Sequence, residues 1–371
     1  MKIAIIKRSQ PIIEKQLLEW RDVWLNISKD QPHRYFLSWP WVEHWLRNVP
    51  FNIEISLVKI SVGDSAAVCL VGRNRQTRHG IIRSDAYYLH YTGSEPYDNL
   101  MLEYNQVLTR NPAPDLLRVL LTALPSDWDE FHFPAMESLS FPATCLNNPL
   151  VGHRILTVGQ APSYFVDLDS IGHGEDSYLK LLSGNTRNKI RRAQKELNKL
   201  GPLRLIQASS LTTASEIFND LVAMHQHTWN ERGLRGAFAN KWFKDFHRNL
   251  IEDRFESGEI QLLRITCGDA TVGCLYNFIY QGTVHYYQSG FNYSTFDHCR
   301  PGLICHSLAI PHNAALGHKI YDFLAGDVQY KKSLSTHANQ LVWYTLQKPK
   351  LRFQLEHLAK GAKAWLQCVV H

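Results

Sequence analysis

The sequence predicts a mixed α/β protein that consists of two tandem domains of the same fold, and three observations support this prediction. The segment 57–70 recurs 205 residues later as 262–275, with six of fourteen positions identical and no gap. Each copy is preceded at a similar distance by a matching pattern of an aromatic, a cap-type and an acidic residue, at 36–43 and 238–245. A chain of 371 residues with 44% hydrophobic content is long enough for two cores. A short helix followed by a hairpin, present twice, indicates a duplicated domain.

The first half is predicted from hydrophobic periodicity and turn residues. The pair Gly63-Asp64 lies between apolar, β-branched segments, which is typical of a hairpin turn. The expected elements, in order, are a strand at 3–6, helices at 12–27 and 39–48, a hairpin over 52–71, a strand near 87–91, helices at 99–109 and 113–123, a strand at 129–133 and a helix at 135–147.

The second half repeats this plan. Gly268-Asp269 and Gln281-Gly282 supply the turns of a three-stranded antiparallel meander. The expected elements are strands near 152–158 and 163–168, helices at 176–200 and 211–231, a short helix from 240, meander strands at 259–266, 271–280 and 283–289, a loop at 290–301, a helix at 302–316 and a strand at 319–324. We therefore place the domains at 1–160 and 161–345, followed by a helical tail at 346–371, and we expect a cleft between the two domains.

Composition indicates a soluble, cytoplasmic protein. The longest apolar runs are far shorter than the roughly 20 residues that cross a bilayer, and the N-terminal residues resemble a first strand more than a secretory signal. The seven cysteines include no Cys-x-x-Cys pair and have no histidine partners at zinc-finger spacing. We therefore expect reduced, structural cysteines and no bound metal.

The net charge of +6 is concentrated in a basic segment at 187–199. Three interpretations stay open for it: a solvated helix face, a surface that binds RNA or phosphate, and a docking surface for an anionic cofactor. A second candidate site lies at the end of the helix at 211–231, where His225 shares a helix stripe with Trp229, and Arg232 follows. His225 fits a buried core histidine as well as a substrate-binding residue.

Several motifs of the second half resemble a known family. They are 185–192 (Asn-Thr-Arg-Asn-Lys-Ile-Arg-Arg), 286–290 (Tyr-Tyr-Gln-Ser-Gly), Pro301-Gly302 and 322–331 (Asp-Phe-Leu-Ala-Gly-Asp-Val-Gln-Tyr-Lys). With the order of elements, these resemble the GCN5-related N-acetyltransferase (GNAT) superfamily, in particular the CelD/BioF2-like acetyltransferases. Two such units in tandem resemble the FemAB-like branch, so the resemblance implies two GNAT-like domains of which the first is degenerate.

The residues around Pro301 suggest where an anionic cofactor binds. A helix that begins at Arg300-Pro301-Gly302 presents backbone N–H groups, the positive end of its dipole and a guanidinium, which together suit a pyrophosphate. A plain helix start is the alternative interpretation. The sequence departs from the usual family loop because Leu303 and Ile304 stand where a small residue is expected. The resemblance implies acetyl-CoA or a longer acyl-CoA as co-substrate, held by Tyr287, Ser289, Arg300, Pro301, Gly302 and Leu303.

Acyl transfer from a thioester needs a neutral amine, a polarised carbonyl and a proton donor for the thiolate. The candidates are His285 as proton acceptor, Asp322 and Asp327 as carboxylates that orient the amine, Tyr330 as proton donor and Lys331 beside the carbonyl oxygen. A surface ion pair between Asp327 and Lys331 is the alternative interpretation of those two residues. The degenerate first domain is expected to supply Asp98 and Glu103 to a cationic acceptor, with His225, Trp229 and Arg232 completing the substrate-binding set.

The hypothesis is an N-acyltransferase that moves an acyl group from acyl-CoA to a small-molecule, peptide or sugar amine in the cleft. One alternative is a FemAB-like transferase that uses aminoacyl-tRNA, for which the basic segment would bind RNA. The other is a catalytically inactive binding or scaffold protein. The sequence does not identify the acceptor, the acyl chain length or the oligomeric state.

Overall fold

The computed structural model describes residues 2–29, 31–111, 116–138, 153–172 and 176–358. These residues form two compact units. One consists of the described residues of Met1–Gln160 and Leu341–His371, and the other consists of those of Ala161–Gln340.

The first unit is a mixed sheet with helices. Its elements are β1 (Lys2–Lys7), α1 (Glu14–Ser28), α2 (Trp39–Asn48), β2 (Glu54–Val62), β3 (Ser65–Arg78), β4 (Ile82–Leu89), α3 (Glu95–Asp98), β5 (Leu108–Arg110), α4 (Leu116–Ala123), β6 (Glu130–Glu137) and the end of β13 (His337–Gln347). The strand order is β1-β2-β3-β4-β6-β13, in which the β4–β6 pair is parallel and the other neighbours are antiparallel. Phe131, Phe133 and Trp128 pack in the core of this unit, against the buried leucines of α4.

The second unit follows the same plan. Its elements are the end of β7 (Arg154–Asp167), α5 (Ser177–Leu181), α6 (Gly184–Leu200), β8 (Leu203–Gln207), α7 (Leu211–Glu231), α8 (Lys241–Arg254), β9 (Ile260–Cys267), β10 (Ala270–Tyr280), β11 (Thr283–Phe291), α9 (Tyr293–Phe296), α10 (Pro301–Ala315), β12 (Ile320–Ala325) and α11 (Gln329–Leu334). The strand order is β7-β12-β11-β10-β9-β8, and β11–β12 is the parallel pair among antiparallel neighbours.

The two units share one topology, which confirms the predicted tandem fold. The order β1-β2-β3-β4-β6 matches β8-β9-β10-β11-β12 in both position and strand direction. The repeated segments form equivalent hairpins, β2–β3 and β9–β10, whose closing pairs are Val62 with Ser65 and Cys267 with Ala270. Gly63 and Gly268 adopt φ of 57° and 56°, a conformation that favours glycine, which explains why both copies keep this residue.

The closing strands are exchanged between the repeats. β7 follows β6 in the chain, yet its residues 163–167 pair with β12 of the second unit. β13 follows β12, yet its residues 341–347 pair with β6 of the first unit. Each sheet is therefore completed by a strand that comes after the other repeat.

Some of the predicted elements are wrong. Of the helix predicted at 99–109, residues 99–107 connect α3 to β5, with positive φ at Met101 and Tyr104, and residues 108–109 belong to β5. The helix predicted at 176–200 is interrupted, because Ser183 caps α6 with its hydroxyl and ends the preceding turn. Of the helix predicted at 135–147, residues 135–137 belong to β6, 138 is a turn and the rest lie outside the described residues.

Other elements were missed or merged. The strands predicted at 152–158 and 163–168 form a single strand, β7, and the loop at 290–301 contains α9 and a short 3-10 helix. β8, α11 and β13 were not predicted. Of the helical tail predicted at 346–371, residues 346–347 belong to β13, 351–358 form a helix and 359–371 lie outside the described residues. The helix buries Phe353 and Glu356, whereas Leu351, Leu355 and Leu358 are 70%, 57% and 69% exposed.

Within the described residues no helix combines the length and apolarity that crossing a bilayer requires. In the same part of the chain, Cys69, Cys267, Cys274, Cys299 and Cys305 are buried and unbridged, while Cys145 and Cys368 lie outside it. Burial raises the pKa of Cys69 and Cys274 to about 12, so neither thiol is ionised at neutral pH. No group of three or more metal-ligating side chains occurs among the described residues.

Candidate functional site

The second unit contains a pocket of about 620 Å³. Two of the longer helices of the unit, α6 and α10, begin at this pocket, and α11 and the end of β11 complete its wall. The lining residues are Leu181, Leu182, Ser183, Asn185, Thr186, Lys189, Phe291, Tyr293, Asp297, Arg300, Gly302, Leu303, Gln329, Tyr330, Lys332, Ser333 and Ser335.

The first side of the pocket is the start of α10. Arg300 precedes the helix with φ of 52°, Pro301 occupies the first helical position, and Gly302 follows at the pocket wall. Proline suits this position because its φ is already helical and it has no N–H to leave unpaired. The Leu303 N–H donates to the Arg300 carbonyl at 2.9 Å. Because Pro301 has no N–H, the first backbone N–H of α10 is that of Gly302, which lines the pocket. A side chain at Gly302 would begin 3.2 Å from the Phe291 ring.

The second side is the start of α6. The Ser183 hydroxyl accepts a hydrogen bond from the Thr186 N–H at 3.3 Å, and Asn185, Thr186 and Lys189 line the pocket from the first two turns. The positive ends of two helix dipoles therefore reach one pocket. Lys189, Arg300 and Lys332 add three cations against the single carboxylate of Asp297. This arrangement favours a ligand that carries several negative charges.

The remaining wall combines the aromatic rings of Phe291, Tyr293 and Tyr330 with the polar side chains of Gln329, Ser333 and Ser335. The Tyr330 ring stacks on His306, with centroids 5.6 Å apart and an interplanar angle of 15°. The hydroxyl of Tyr330 lies 3.5 Å from that of Tyr286, which is 2.6 Å from the Ser289 Oγ. Burial raises the pKa of Tyr330 and of Tyr286, so both phenols are protonated at neutral pH and act as donors.

His306 supports this hydroxyl chain from beneath. It is fully buried, its Nδ1 lies 3.1 Å from the Tyr321 hydroxyl, and its ring meets that of Tyr286 edge to face at 4.4 Å. Burial lowers the pKa of His306 to about 3, with the Lys331 charge adding to the effect. The imidazole of His306 is therefore neutral in the folded protein at neutral pH.

His285 and Asp322 lie side by side but away from the pocket. They are partners in the parallel β11–β12 register, and both are fully buried. Tyr286 and Phe323, their chain neighbours, contact His306 of α10. Because successive side chains of a strand alternate between faces, His285 and Asp322 point to the sheet face opposite α10. The Asp322 carboxylate accepts hydrogen bonds from the Leu324 N–H at 2.8 Å and the Ser163 hydroxyl at 3.3 Å.

Asp327 and Lys331 lie just beyond β12. The Lys331 ammonium donates to the carbonyl oxygens of Leu324 and Ala325, at 3.2 and 2.7 Å, and so holds the end of that strand. Asp327 is exposed and accepts a hydrogen bond from the Tyr164 hydroxyl at 3.2 Å. Both residues border the segment that carries Tyr330, although neither lines the pocket.

Tyr287 and Ser289 differ in position although both follow Tyr286. The Tyr287 hydroxyl bonds to His247 Nε2 at 3.2 Å, and its ring packs on Phe243 of α8, so it lies on the face opposite α10. Ser289 bonds to Tyr286 instead and belongs to the hydroxyl chain of Tyr330. Its carbonyl oxygen accepts from Nδ1 of His225 at 3.1 Å, which makes His225 a buried link between α7 and β11.

The other predicted substrate-binding residues are separate from the pocket lining. Arg232 stacks over the Trp229 ring at 5.8 Å, and its charge acts on Tyr293, which does line the pocket. Asp98 and Glu103 belong to the first unit. The Asp98 carboxylate accepts hydrogen bonds from the Thr92 N–H, the Thr92 hydroxyl and the Gly93 N–H, each at 2.7 Å, and thereby shapes the loop after β4.

The structure thus brings Arg300, Gly302, Leu303 and Tyr330 of the predicted set into one pocket, with Pro301 between two of them. Sequence reasoning did not select Lys332, Asn185, Tyr293 or Tyr286 for the site. Asn185 and Tyr286 lie inside the motifs already noted, which was the available signal. Lys189 belongs to the basic segment for which an anionic cofactor was one interpretation.

Comparisons with known proteins agree with this fold. Residues 184–332 match the family model of an acetyltransferase (GNAT) domain. No curated protein matches the sequence.

Solved structures resemble the chain over most of its length at low sequence identity. A conserved protein of unknown function from Bacteroides thetaiotaomicron has a TM-score of 0.54 and 12% identity, covering 90% of this chain and 97% of its own. FemX has a TM-score of 0.55 and 10% identity, with coverage of 96% and 99%. L-PGS from Bacillus licheniformis has a TM-score of 0.50 and 10% identity, with coverage of 93% and 94%.

The match to an acetyltransferase domain supports a transferase of acyl groups in general terms, whereas the solved structures show the fold alone. Most of the residues that line the pocket lie within the matched residues 184–332. Residues 184–332 therefore match an acetyltransferase (GNAT) domain, and the chain shares its fold with FemX over 96% of its length.

Proposed function

We propose that the protein transfers an acyl group from an acyl-CoA to an amine, with the pocket of the second unit holding the donor. The observation that carries this proposal is the convergence of two helix N-termini with Lys189, Arg300 and Lys332 on one pocket. Coenzyme A carries a pyrophosphate and a 3′-phosphate, so its charge suits a site with a surplus of cations and free donors. The aromatic wall formed by Phe291 and Tyr330 suits the pantetheine chain.

The chemistry requires one bond to form and one to break. The amine nitrogen attacks the thioester carbonyl carbon, the C–S bond breaks, the nitrogen gives one proton to solvent water and the thiolate receives one from Tyr330. Tyr330 would supply the proton to sulfur, because its phenol is protonated and lines the pocket. The hydroxyls of Tyr286 and Ser289 would then reprotonate Tyr330. Asp327, as an exposed carboxylate beside this segment, would orient the incoming amine.

The donor is tested by calorimetric titration of the full chain with CoA, acetyl-CoA and decanoyl-CoA. We expect Arg300→Ala and Lys189→Ala each to weaken CoA binding by about tenfold, which corresponds to about 1.4 kcal/mol. Lys15→Ala is the matched control, since Lys15 is exposed and lies in the first unit. CoA affinity that is unchanged in both pocket variants would contradict the assignment of this pocket.

The same titrations separate the alternatives. Binding of tRNA that is lost at high salt, without binding of any CoA species, would favour the aminoacyl-tRNA alternative. A chain that binds none of these ligands would favour the scaffold alternative. In that case Asp327→Ala and Lys331→Ala would change nothing beyond stability.

Tyr330→Phe tests the proton donor. The variant keeps the ring stacked on His306 but removes the hydroxyl, so we expect CoA affinity to stay within about twofold and turnover to fall by about 10²-fold. Turnover is followed as release of free thiol from acetyl-CoA across a panel of amines, and Tyr344→Phe, in β13, is the control. Turnover of Tyr330→Phe equal to that of the unmodified chain would exclude this role.

A further inference from the structure

Most of the positively charged residues of α6 do not line the pocket. The 17 residues of the helix include six lysines and arginines and one glutamate. The helix buries Thr186, Ile190, Ala193 and Leu197, which leaves its other side for solvent. Lys189, Arg192, Lys195 and Lys199 are exposed on that side, within an arc of about 120° at 3.6 residues per turn. We call these four residues the basic stripe.

The basic stripe starts at the pocket and leads away from it. Lys189 lines the pocket, whereas Arg192, Lys195 and Lys199 follow it by about 4.5, 9 and 15 Å along the helix axis. Glu196 is the one acidic residue within the helix, and it bonds to Lys199 at 2.7 Å. The pKa of Glu196 is lowered by that hydrogen bond and also by the charges of Lys199, Arg192 and Lys195, so three cations cluster around one carboxylate.

A free CoA molecule in the pocket leaves most of the basic stripe unused. Its phosphates would meet Lys189 and the helix N-termini, but no residue of α6 beyond Lys189 lines the pocket. Among the described residues, Arg192 and Lys195 form no ion pair. The additional positive charge therefore points to a larger anionic partner, which would bind the exposed side of α6 while a group attached to it enters the pocket.

We propose that the basic stripe docks an acidic acyl carrier protein, whose phosphopantetheine arm enters the pocket as the acyl donor. This inference rests on the proposed function, because it assumes that the pocket accepts a pantetheine thioester. The arm carries a single phosphate, which would lie at the cations of the pocket mouth. An acidic helix of the carrier, about 15 Å in length, would pair with the stripe and direct the arm inward.

An RNA partner fits the same surface less well. Proteins that hold single-stranded RNA combine cations with aromatic side chains on which the bases stack, and α6 contains no aromatic residue. Duplex RNA is recognised over a surface of roughly 16 base pairs, which is much longer than the stripe. The basic stripe is short and begins at the pocket. Its length and position suit a small carrier protein that has a single covalently attached arm.

The test compares two donors that share the same arm. The full chain is titrated calorimetrically, at low and high salt, with decanoyl-CoA and with a purified acidic acyl carrier protein that bears a decanoyl-phosphopantetheine arm. We expect Arg192→Glu with Lys195→Glu to weaken carrier binding by about tenfold or more, and decanoyl-CoA binding by less than about twofold. Arg192→Gln with Lys195→Gln should give an intermediate loss.

The control pair is Lys15→Glu with Arg21→Glu, which makes the same change in net charge at exposed residues of α1. We expect no effect of this pair on either donor. Carrier that fails to bind, or that binds the stripe variants unchanged, would overturn the inference while decanoyl-CoA binding still supports the proposed function. Failure of the unmodified chain to bind either donor would remove the proposed function itself, and tRNA binding that depends on the stripe without carrier binding would assign the surface to RNA.

Discussion

At the scale of single residues, hydrogen bonds decide which charged side chains are available to a ligand. Arg8 is buried and donates to the backbone carbonyl oxygens of Leu46, Val49, Pro50 and Ile53, so it holds the segment between α2 and β2. Asp98 has a comparable part in the loop after β4. Its carboxylate accepts three hydrogen bonds at 2.7 Å, from one hydroxyl and two backbone amides. A residue type alone does not reveal such partners.

Asp98→Asn is expected to destabilise the first unit by about 2 kcal/mol. The amide keeps the shape of the side chain but replaces one acceptor oxygen by a donor that faces another donor. Urea denaturation followed by circular dichroism measures the loss. Glu95→Gln is the control because Glu95 is exposed and lies with Asp98 in α3. Equal stability of the two variants would mean that the Asp98 hydrogen bonds contribute little to folding.

At the scale of elements, the duplicated hairpins place a left-handed glycine at the same point. A Cβ added at Gly63 would meet no atom within 4 Å, and at Gly268 the nearest atom would be the Leu200 carbonyl oxygen at 3.7 Å. Space is therefore open at both turns, and the backbone conformation alone restricts the residue.

Gly63→Ala and Gly268→Ala are therefore each expected to cost about 1 kcal/mol in unfolding free energy. Asn tolerates positive φ better than Ala, so Gly63→Asn and Gly268→Asn should cost less. Gly172→Ala is the control, since Gly172 has open space and an ordinary φ, and it should leave stability unchanged or slightly raised. Losses well above 1 kcal/mol at either turn would indicate a steric role that the open space does not explain.

At the scale of the whole molecule, buried histidines make folding sensitive to acid. Burial lowers the pKa of His90 and His132 in the first unit to about 4, and that of His306 in the second unit to about 3. The folded chain therefore holds these rings neutral, whereas the unfolded chain protonates them near pH 6.5. Stability is unaffected by these groups above pH 6.5 and falls as pH decreases toward 4, because the unfolded state then binds more protons.

We expect each of these histidines to reduce the unfolding free energy by about 2 kcal/mol between pH 7 and pH 5. Urea midpoints measured across this range should decrease with pH, and His306→Gln should flatten the dependence of the second unit. His227→Gln is the control because His227 is exposed. A profile for His306→Gln that parallels that of the unmodified chain would show that His306 is not the group responsible.

Short-range patterns in the sequence were sufficient for the repeated hairpins, for α2 and α7, and for the helix that starts at Pro301, because turn residues, caps and periodicity are local properties. The exchanged strands β7 and β13 depend on pairing between distant segments, which no local pattern records.

Only some of the predicted site residues lie together, for the same reason. Tyr330, Arg300 and Gly302 meet in one pocket, while His285 and Asp322 point to the opposite face of the sheet. The register shift between Tyr276 and Asn277, whose partners are Gln288 and Tyr286, helps to set these faces. Local sequence patterns were therefore sufficient to predict the tandem fold and the helix that begins after Arg300. The convergence of side chains on one pocket was decided by the tertiary structure, because strand register across the sheet determines the face to which each side chain points.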